Sequence, residues 1–274
     1  MSSRKTSFGF RPGLTLAASL LALVVVAVVA LLYNNESQSG TKTTVVPSVP
    51  PNPSSSTTTV TPPGSPSFGL PTTDLFGARL ETPADPAGAA LPQDSAGPDA
   101  SLGAAWFVAA PTGMMWQRGW NGAALPASRS DGPARVEGGI ASGFAHTPQG
   151  AGLAAADAMA RALAAPDGVW QRVVAARFVG DQAALLERYA SSRRDNPDAA
   201  KYVVVPAGIK IIDYRDDFAV VQLGVRTPQG KSGFSSWPMA WVDGDWRIRA
   251  PEDVGALWAA STLVTSLADF GVWR

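Results

Sequence analysis

The stretch that decides the fold is SSWPMAWVDGDWRIRAP, residues 235–251. Asp243-Gly244 sits between Trp241-Val242 and Asp245-Trp246. An Asp-Gly pair between strand-forming residues marks a two-residue hairpin, because both turn positions take positive φ. Upstream, KYVVVPAGIKIIDYRDD (201–217) and FAVVQLGVRTPQG (218–230) are rich in Val, Ile, Phe and Tyr. Val221, Leu223 and Val225 alternate with Val220, Gln222 and Gly224, the period of a half-buried strand. RTPQGK, Arg226–Lys231, reads as a turn. Successive strands joined by short turns predict an antiparallel meander.

Ahead of the meander the period becomes helical. In GFAHTPQGAGLAA, residues 143–155, Thr147 is a natural N-cap and Pro148 stands at the first helical position, where the missing N–H costs nothing. Leu153, Ala156, Ala160 and Leu163 share one face, and Pro166 ends the run. GVWQRVVAARFV (168–179) predicts a second helix with Val169, Val173 and Ala176 along one side. QAALLERYASSRR (182–194) predicts a third, anchored by Leu185, Leu186 and Tyr189. After the meander, DVGALWAASTLVTSLADF places Leu257, Ser261, Val264 and Leu267 at helical spacing and predicts a C-terminal helix. The region from Trp106 to Phe144 mixes short apolar runs with Gly and Pro, which predicts short strands and ordered loops packing Trp106, Trp116 and Trp120. Helices packed on a curved antiparallel sheet define an α+β class.

The N-terminal third differs. After Arg11 no charge appears until Glu36, and LTLAASLLALVVVAVVALLY, Leu14–Tyr33, fills the gap. About 20 apolar residues span a hydrocarbon core of roughly 30 Å. The run is longer than a signal-peptide core and lacks a small-residue cleavage site. Arg4, Lys5 and Arg11 precede it, so the positive-inside rule puts the N-terminus in the cytoplasm. From Ser37 to Gly69 the chain is dominated by Pro, Ser, Thr and Gly, too little apolar surface to offset the entropy of ordering. The expected layout is a cytoplasmic tail (1–12), a transmembrane helix (13–33), a linker (34–100) and an extracytoplasmic domain (101–274). Within the linker, Leu75, Phe76 and Leu80 form a small candidate docking site.

Composition narrows the chemistry. There is no cysteine, hence no disulfide, thiolate metal site, cysteine nucleophile or lipid-bearing thiol. Lys+Arg and Asp+Glu are both 22, without the basic excess that phosphate contacts demand. Direct nucleic-acid binding is not expected. No GxxxxGK[ST], HExxH or GxSxG pattern occurs, so no cofactor or metal is expected and any ATPase is a partner. His146 is the one histidine. It lies just before a helix cap without a carboxylate at metal-pair spacing, which favours a role in the turn over catalysis. Were the chain an enzyme, Asp213 with Tyr214, or His146 with Asp157, would be the candidate pairs. Ser128 and Ser130 lack the lysine of an S-x-x-K acyl site. Arg193 and Arg194 form a candidate basic patch for partner docking.

The order of elements also resembles the nuclear-transport-factor-2-like (cystatin-like) fold. The resemblance rests on the GFAHTPQGAGLAAADAMARAL helix, the RFVGD link into a short helix and the WVDGDWRI end-hairpin. With an N-in anchor and a Pro/Ser/Thr stalk, the chain resembles membrane proteins of actinobacterial integrative and conjugative elements. Those are similar to the TcpC family of Gram-positive conjugation and to bitopic inner-membrane assembly subunits of type IV secretion systems. The resemblance covers Trp106 to the end. It implies a scaffold without catalytic residues, other membrane subunits of a channel as partners, and pairing with copies of itself through the sheet. Two further classes stay open from the residues alone: an enzyme or ligand pocket in the sheet's concavity, and a cell-envelope accessory unrelated to DNA transfer.

Overall fold

A computed structural model describes residues 66–226, 230–258 and 261–274. The expected transmembrane helix at 13–33, residues 34–65 of the linker and residues 227–229 of the RTPQGK turn lie outside the described residues. Among the described residues, no helix is long and apolar enough to cross a membrane.

The central element is α1, Pro148–Ala164, capped as expected. The Thr147 side chain accepts from Gly150 N–H at 2.9 Å and Pro148 opens the first turn. Thr147→Ala is expected to cost about 1 kcal/mol, read as a lowered midpoint in urea unfolding; an unchanged midpoint would contradict it. The predicted single apolar face is too narrow a description. Every residue of α1 is buried, as befits a helix apolar on nearly all sides. One side meets the large sheet of β8 (Gly208–Arg215), β9 (Phe218–Arg226), β10 (Ser232–Val242) and β11 (Asp245–Arg249). Another meets β4 (Ala124–Ala127) of a second sheet, and α2 (Trp170–Arg177) lies alongside. Alanine and glycine permit this close approach. A Cβ on Gly152 would stand 2.6 Å from the Trp273 ring.

The meander is present as read. Strand order is β7-β11-β10-β9-β8, antiparallel throughout except for the two-residue β7 (Phe178–Val179), which runs parallel to β11. Asp243 and Gly244 take φ of +52° and +76° in the β10–β11 turn. Trp237, Met239, Trp246 and Ile248 are buried on the face toward α1. Helix α3, Gln182–Asp195, starts at Asp181, whose side chain accepts from Ala184 N–H.

Two expectations are corrected. The linker ends far earlier than residue 100. Strands β1 (Phe68–Thr73) and β2 (Arg79–Pro83) form a sheet with β3 (Met115–Arg118) and β4, in the order β1-β2-β3-β4. Segment 84–99 is fixed by side chains from elsewhere. Gln117, 1% exposed, donates to the Ala89 carbonyl at 2.8 Å and accepts its N–H at 2.7 Å. Arg161 donates to the Ala87 carbonyl. A segment poor in bulky side chains is ordered here because its partners supply the bonds. Second, among the described residues the expected C-terminal helix is absent. Residues Val254–Trp258 make a 3-10 turn, and β12 (Thr262–Val264) pairs antiparallel with β10. The edge of β10 at 232–234 offers a ladder, and Thr262, Val264 and Thr265 suit a strand better than a helix.

Charge is buried on both sides of α1. Arg161 donates through Nε to both oxygens of Asp157, at 2.7 and 2.8 Å, and through Nη1 to the carbonyls of Ala87 and Gly139. Both side chains are at most 1% exposed. Burial raises the Asp157 carboxyl above its usual range, and the Arg161 charge opposes that shift. Arg177, at the end of α2, donates to Asp245 and to the Trp246 carbonyl, both at 2.6 Å. Asp245 also accepts from Gly143, Phe144 and Trp246 N–H groups. The second Asp of the DGDWR hairpin thus fastens the sheet to the entry of α1 and the end of α2. Between β4 and α1, β5 (Arg135–Glu137) and β6 (Ile140–Ser142) form a hairpin on Gly138-Gly139, both with positive φ.

Candidate functional site

His146 lies on an aromatic column. Its ring stacks on Trp241 at 4.1 Å with planes 11° apart, and Nε2 meets the Asp216 carbonyl oxygen. The His146 carbonyl accepts from Tyr214 Oη at 2.9 Å, and the Ala145 carbonyl accepts from Trp246 Nε1 at 3.0 Å. Trp106 closes the column against Tyr214. Burial raises the Tyr214 phenol, with the Asp216 charge adding to it. These contacts fix the turn that starts α1.

The candidate catalytic pairs are not assembled. Asp157 bonds Arg161 inside the core, while His146 is exposed at the surface. Asp213 pairs with Arg215 at 2.8 Å, whereas Tyr214 turns to His146. Ser128 accepts from Asp131 N–H, and Ser130 accepts from Thr112 N–H and donates to Asp131. Both serines organise a loop. Arg193 has structural work: it donates to the carbonyls of Ala162, Leu163 and Ala165 at the end of α1 and stacks on Trp170 at 5.3 Å. A cation bonded to the last carbonyls of a helix satisfies groups that lack intrahelical partners. Arg194 is exposed beside it, so of the two arginines only Arg194 has its side chain fully at the surface.

The concave feature with the least structural obligation lies elsewhere. Where the β1–β2 turn, segment 204–207 and the C-terminal tail meet, they enclose a cleft of about 880 Å³. Its floor is Val204, Val225 and Leu267, each buried to within a few percent. Leu75 and Phe76 form one bank and Val272 the other; Leu75 is 49% and Val272 58% exposed. Arg226 and Arg274 stand at the rim, both exposed. Of the docking trio expected from the linker, Leu75 and Phe76 line this cleft and Leu80 is wholly buried.

One carboxylate builds the first bank. Asp74 Oδ1 accepts from Phe76 and Ala78 N–H at 2.9 Å, and its Oδ2 accepts from Val205 N–H at 2.9 Å. Gly77 completes the turn at φ +82°. The other bank is the tail. Gly271 and Ile209 exchange both backbone hydrogen bonds, at 2.8 and 2.9 Å, and Trp273 plugs into the core at 1% exposure. Phe270 fits over Gly208, where a Cβ would stand 2.5 Å away. Sequence patterning missed this bank because it assigned the residues leading into it, up to Phe270, to a helix and left 271–274 without a reading.

The tail is also pinned by Lys210–Asp269, and the loop before β3 by Arg129–Asp94. Hydrogen bonding from those partners lowers both carboxyls below the usual 3.8. A lowered folded value means stability that is present above 3.8 and lost as pH falls through the folded value. The tail and the loop are therefore expected to loosen in acid below that range. Amide exchange at 268–272 measured against pH checks this, and protection that does not fall in acid would contradict it.

The fold and cleft together define an α+β domain in which two sheets enclose one buried helix and open to solvent at a groove. Residues 81–272 match a family described as a domain of unknown function, DUF8175. That match takes in more than half of the chain, and the chain belongs to this family. No curated protein and no solved structure matches it. The match begins within β2 and ends at Val272, so it contains the floor of the cleft and most of its tail bank.

Proposed function

We propose that this chain is a non-enzymatic, membrane-anchored scaffold subunit of a conjugative DNA-transfer apparatus of the type IV secretion kind. Its extracytoplasmic domain docks other membrane subunits, and Leu14–Tyr33 holds it in the membrane with the N-terminus in the cytoplasm. The observation that carries the docking part is the apolar cleft, built by the hairpin and tail that flank the α1–sheet core. Buried charges point the same way: Asp157, Arg161, Arg177 and Asp245 are bonded to one another or to backbone. Three helices followed by an antiparallel meander with a DGD end-hairpin support the nuclear-transport-factor-2-like reading. A near-neutral domain suits protein contact better than phosphate contact.

A second reading, a ligand-binding envelope accessory, draws on the cleft's volume, which falls within the roughly 300–1,000 Å³ of small-molecule sites. Affinity purification of the tagged full-length chain from its native membrane, after mild cross-linking, separates the two. The scaffold reading expects a transfer ATPase and other channel subunits among the partners. Recovery of the chain alone at good yield would overturn it. His146→Ala is expected to leave the partner set unchanged.

A further inference from the structure

The cleft has one corner where its apolar floor meets a cation. Leu267 packs over Gly224 of β9, where a Cβ would stand 3.1 Å from each of its terminal carbons. Side chains two residues apart on a strand share a face. Arg226 therefore lies on the face of β9 that Leu267 covers, one step nearer the strand's end. The Ala207 N–H donates to the Gly224 carbonyl at 2.8 Å, which brings segment 204–207 against the same end of β9. The bond from Val205 N–H to Asp74 then holds the β1–β2 turn, with Leu75 and Phe76, beside that segment.

Charge in this corner has one sign left over. Asp74, the acidic side chain of the cleft, accepts from three backbone N–H groups. Arg226 is exposed, and among the described residues its guanidinium has no carboxylate partner; exposed Arg274, at the same rim, also has none. A cation beside an apolar hollow is complementary to an apolar group that carries a negative charge. Free small molecules are held in sites that bury roughly 70–90% of their surface. This cleft is open instead, for Leu75 and Val272 on its two banks are 49% and 58% exposed. Such a cleft suits a side chain that protrudes from a larger body, as the apolar anchors of protein interfaces do.

We propose that the cleft is the socket for a partner protein that inserts one apolar side chain beside Leu267 and sets a neighbouring carboxylate on Arg226. The two contacts lie about 7 Å apart, the spacing of alternate residues on a strand. An apolar and an acidic residue two apart in an extended segment match that spacing. A pair one helical turn apart, at about 5–6 Å, also reaches both. The inference rests on the docking reading above and names its site and partner chemistry.

The test places a photoreactive benzophenone side chain in the full-length chain in its native membrane, once at Leu75 and once at Ala268, the exposed cleft residue next to Leu267. A label at Leu102, 48% exposed and outside the cleft, serves as the control. The expected result is an adduct at 75 or 268, absent at 102, that maps to a segment of another protein with an apolar residue close to an Asp or Glu. Arg226→Glu should lower its yield about tenfold, equivalent to about 1.4 kcal/mol, and Arg226→Lys should retain most of it. Both substitutions are at an exposed site, and an unchanged melting temperature confirms folding. Adducts to lipid, to this chain's own residues before Pro66 or to a second copy would overturn the proposal, as would no adduct at either position. So would an adduct indifferent to Arg226→Glu. Channel subunits recovered by affinity purification with no partner adduct at 75 or 268 would leave the scaffold reading standing and remove this site.

Discussion

Asp157→Ala is expected to cost about 3–5 kcal/mol of folding stability, the range for removing one partner of a buried ion pair. The loss arises from what remains. Arg161 is 1% exposed and would keep its charge with only the Ala87 and Gly139 carbonyls and the Trp120 face for company. Those carbonyls belong to the linker-side loop and the β5–β6 hairpin, so disorder should spread from α1 into both. Asp157→Asn should lose less, because an amide oxygen still accepts from Nε. The double change Asp157→Leu with Arg161→Met should recover much of the loss, since apolar replacement of a whole buried pair is often neutral. Urea unfolding of the three variants checks this. A single-variant loss below about 1 kcal/mol would show that the pair is not desolvated as described.

Trp273→Ala is the second large effect, at about 3–5 kcal/mol for emptying a buried aromatic site. The ring lies against Gly152 of α1 and donates through Nε1 to the Val108 carbonyl at 3.0 Å. Its own carbonyl accepts from Trp116 Nε1 at 2.7 Å, tying the tail to the first sheet. Loss of the ring should free residues 266–274 and with them one bank of the cleft. Unfolding midpoints and amide exchange across the tail report the two parts separately. Val272→Ala, one residue away but pointing to solvent, is expected to leave stability unchanged. Equal effects at 272 and 273 would contradict the placement of the tail.

The contrast between those two residues shows where the sequence could be read. Alternation in 218–225, the Asp243-Gly244 pair and the Thr147-Pro148 cap are local signals, and the structure contains each. Burial of α1 on every side was not legible, because an alanine-rich helix looks alike whether one sheet or two cover it. Segment 84–99 was misread for a related reason: it is held by Gln117, Arg161 and Arg129, all outside it. The tail followed helical spacing at Leu257, Val264 and Leu267, yet the free edge of β10 and the pocket beside Gly152 prevailed. The cleft inherits both misreadings. Leu75 and Phe76 stood out as exposed apolar residues in a polar stretch, but nothing local joined them to Arg226 or Val272.

The central claim is that this domain docks membrane partners through the cleft. The most direct measurement compares cross-linked affinity purification of the full-length chain with that of Arg226→Glu combined with Val272→Glu. Both are taken from the native membrane and normalised to folded protein. The account predicts the same membrane subunits in both, with recovery reduced about tenfold or more by the double change. Partner recovery that is equal from the two proteins would contradict it.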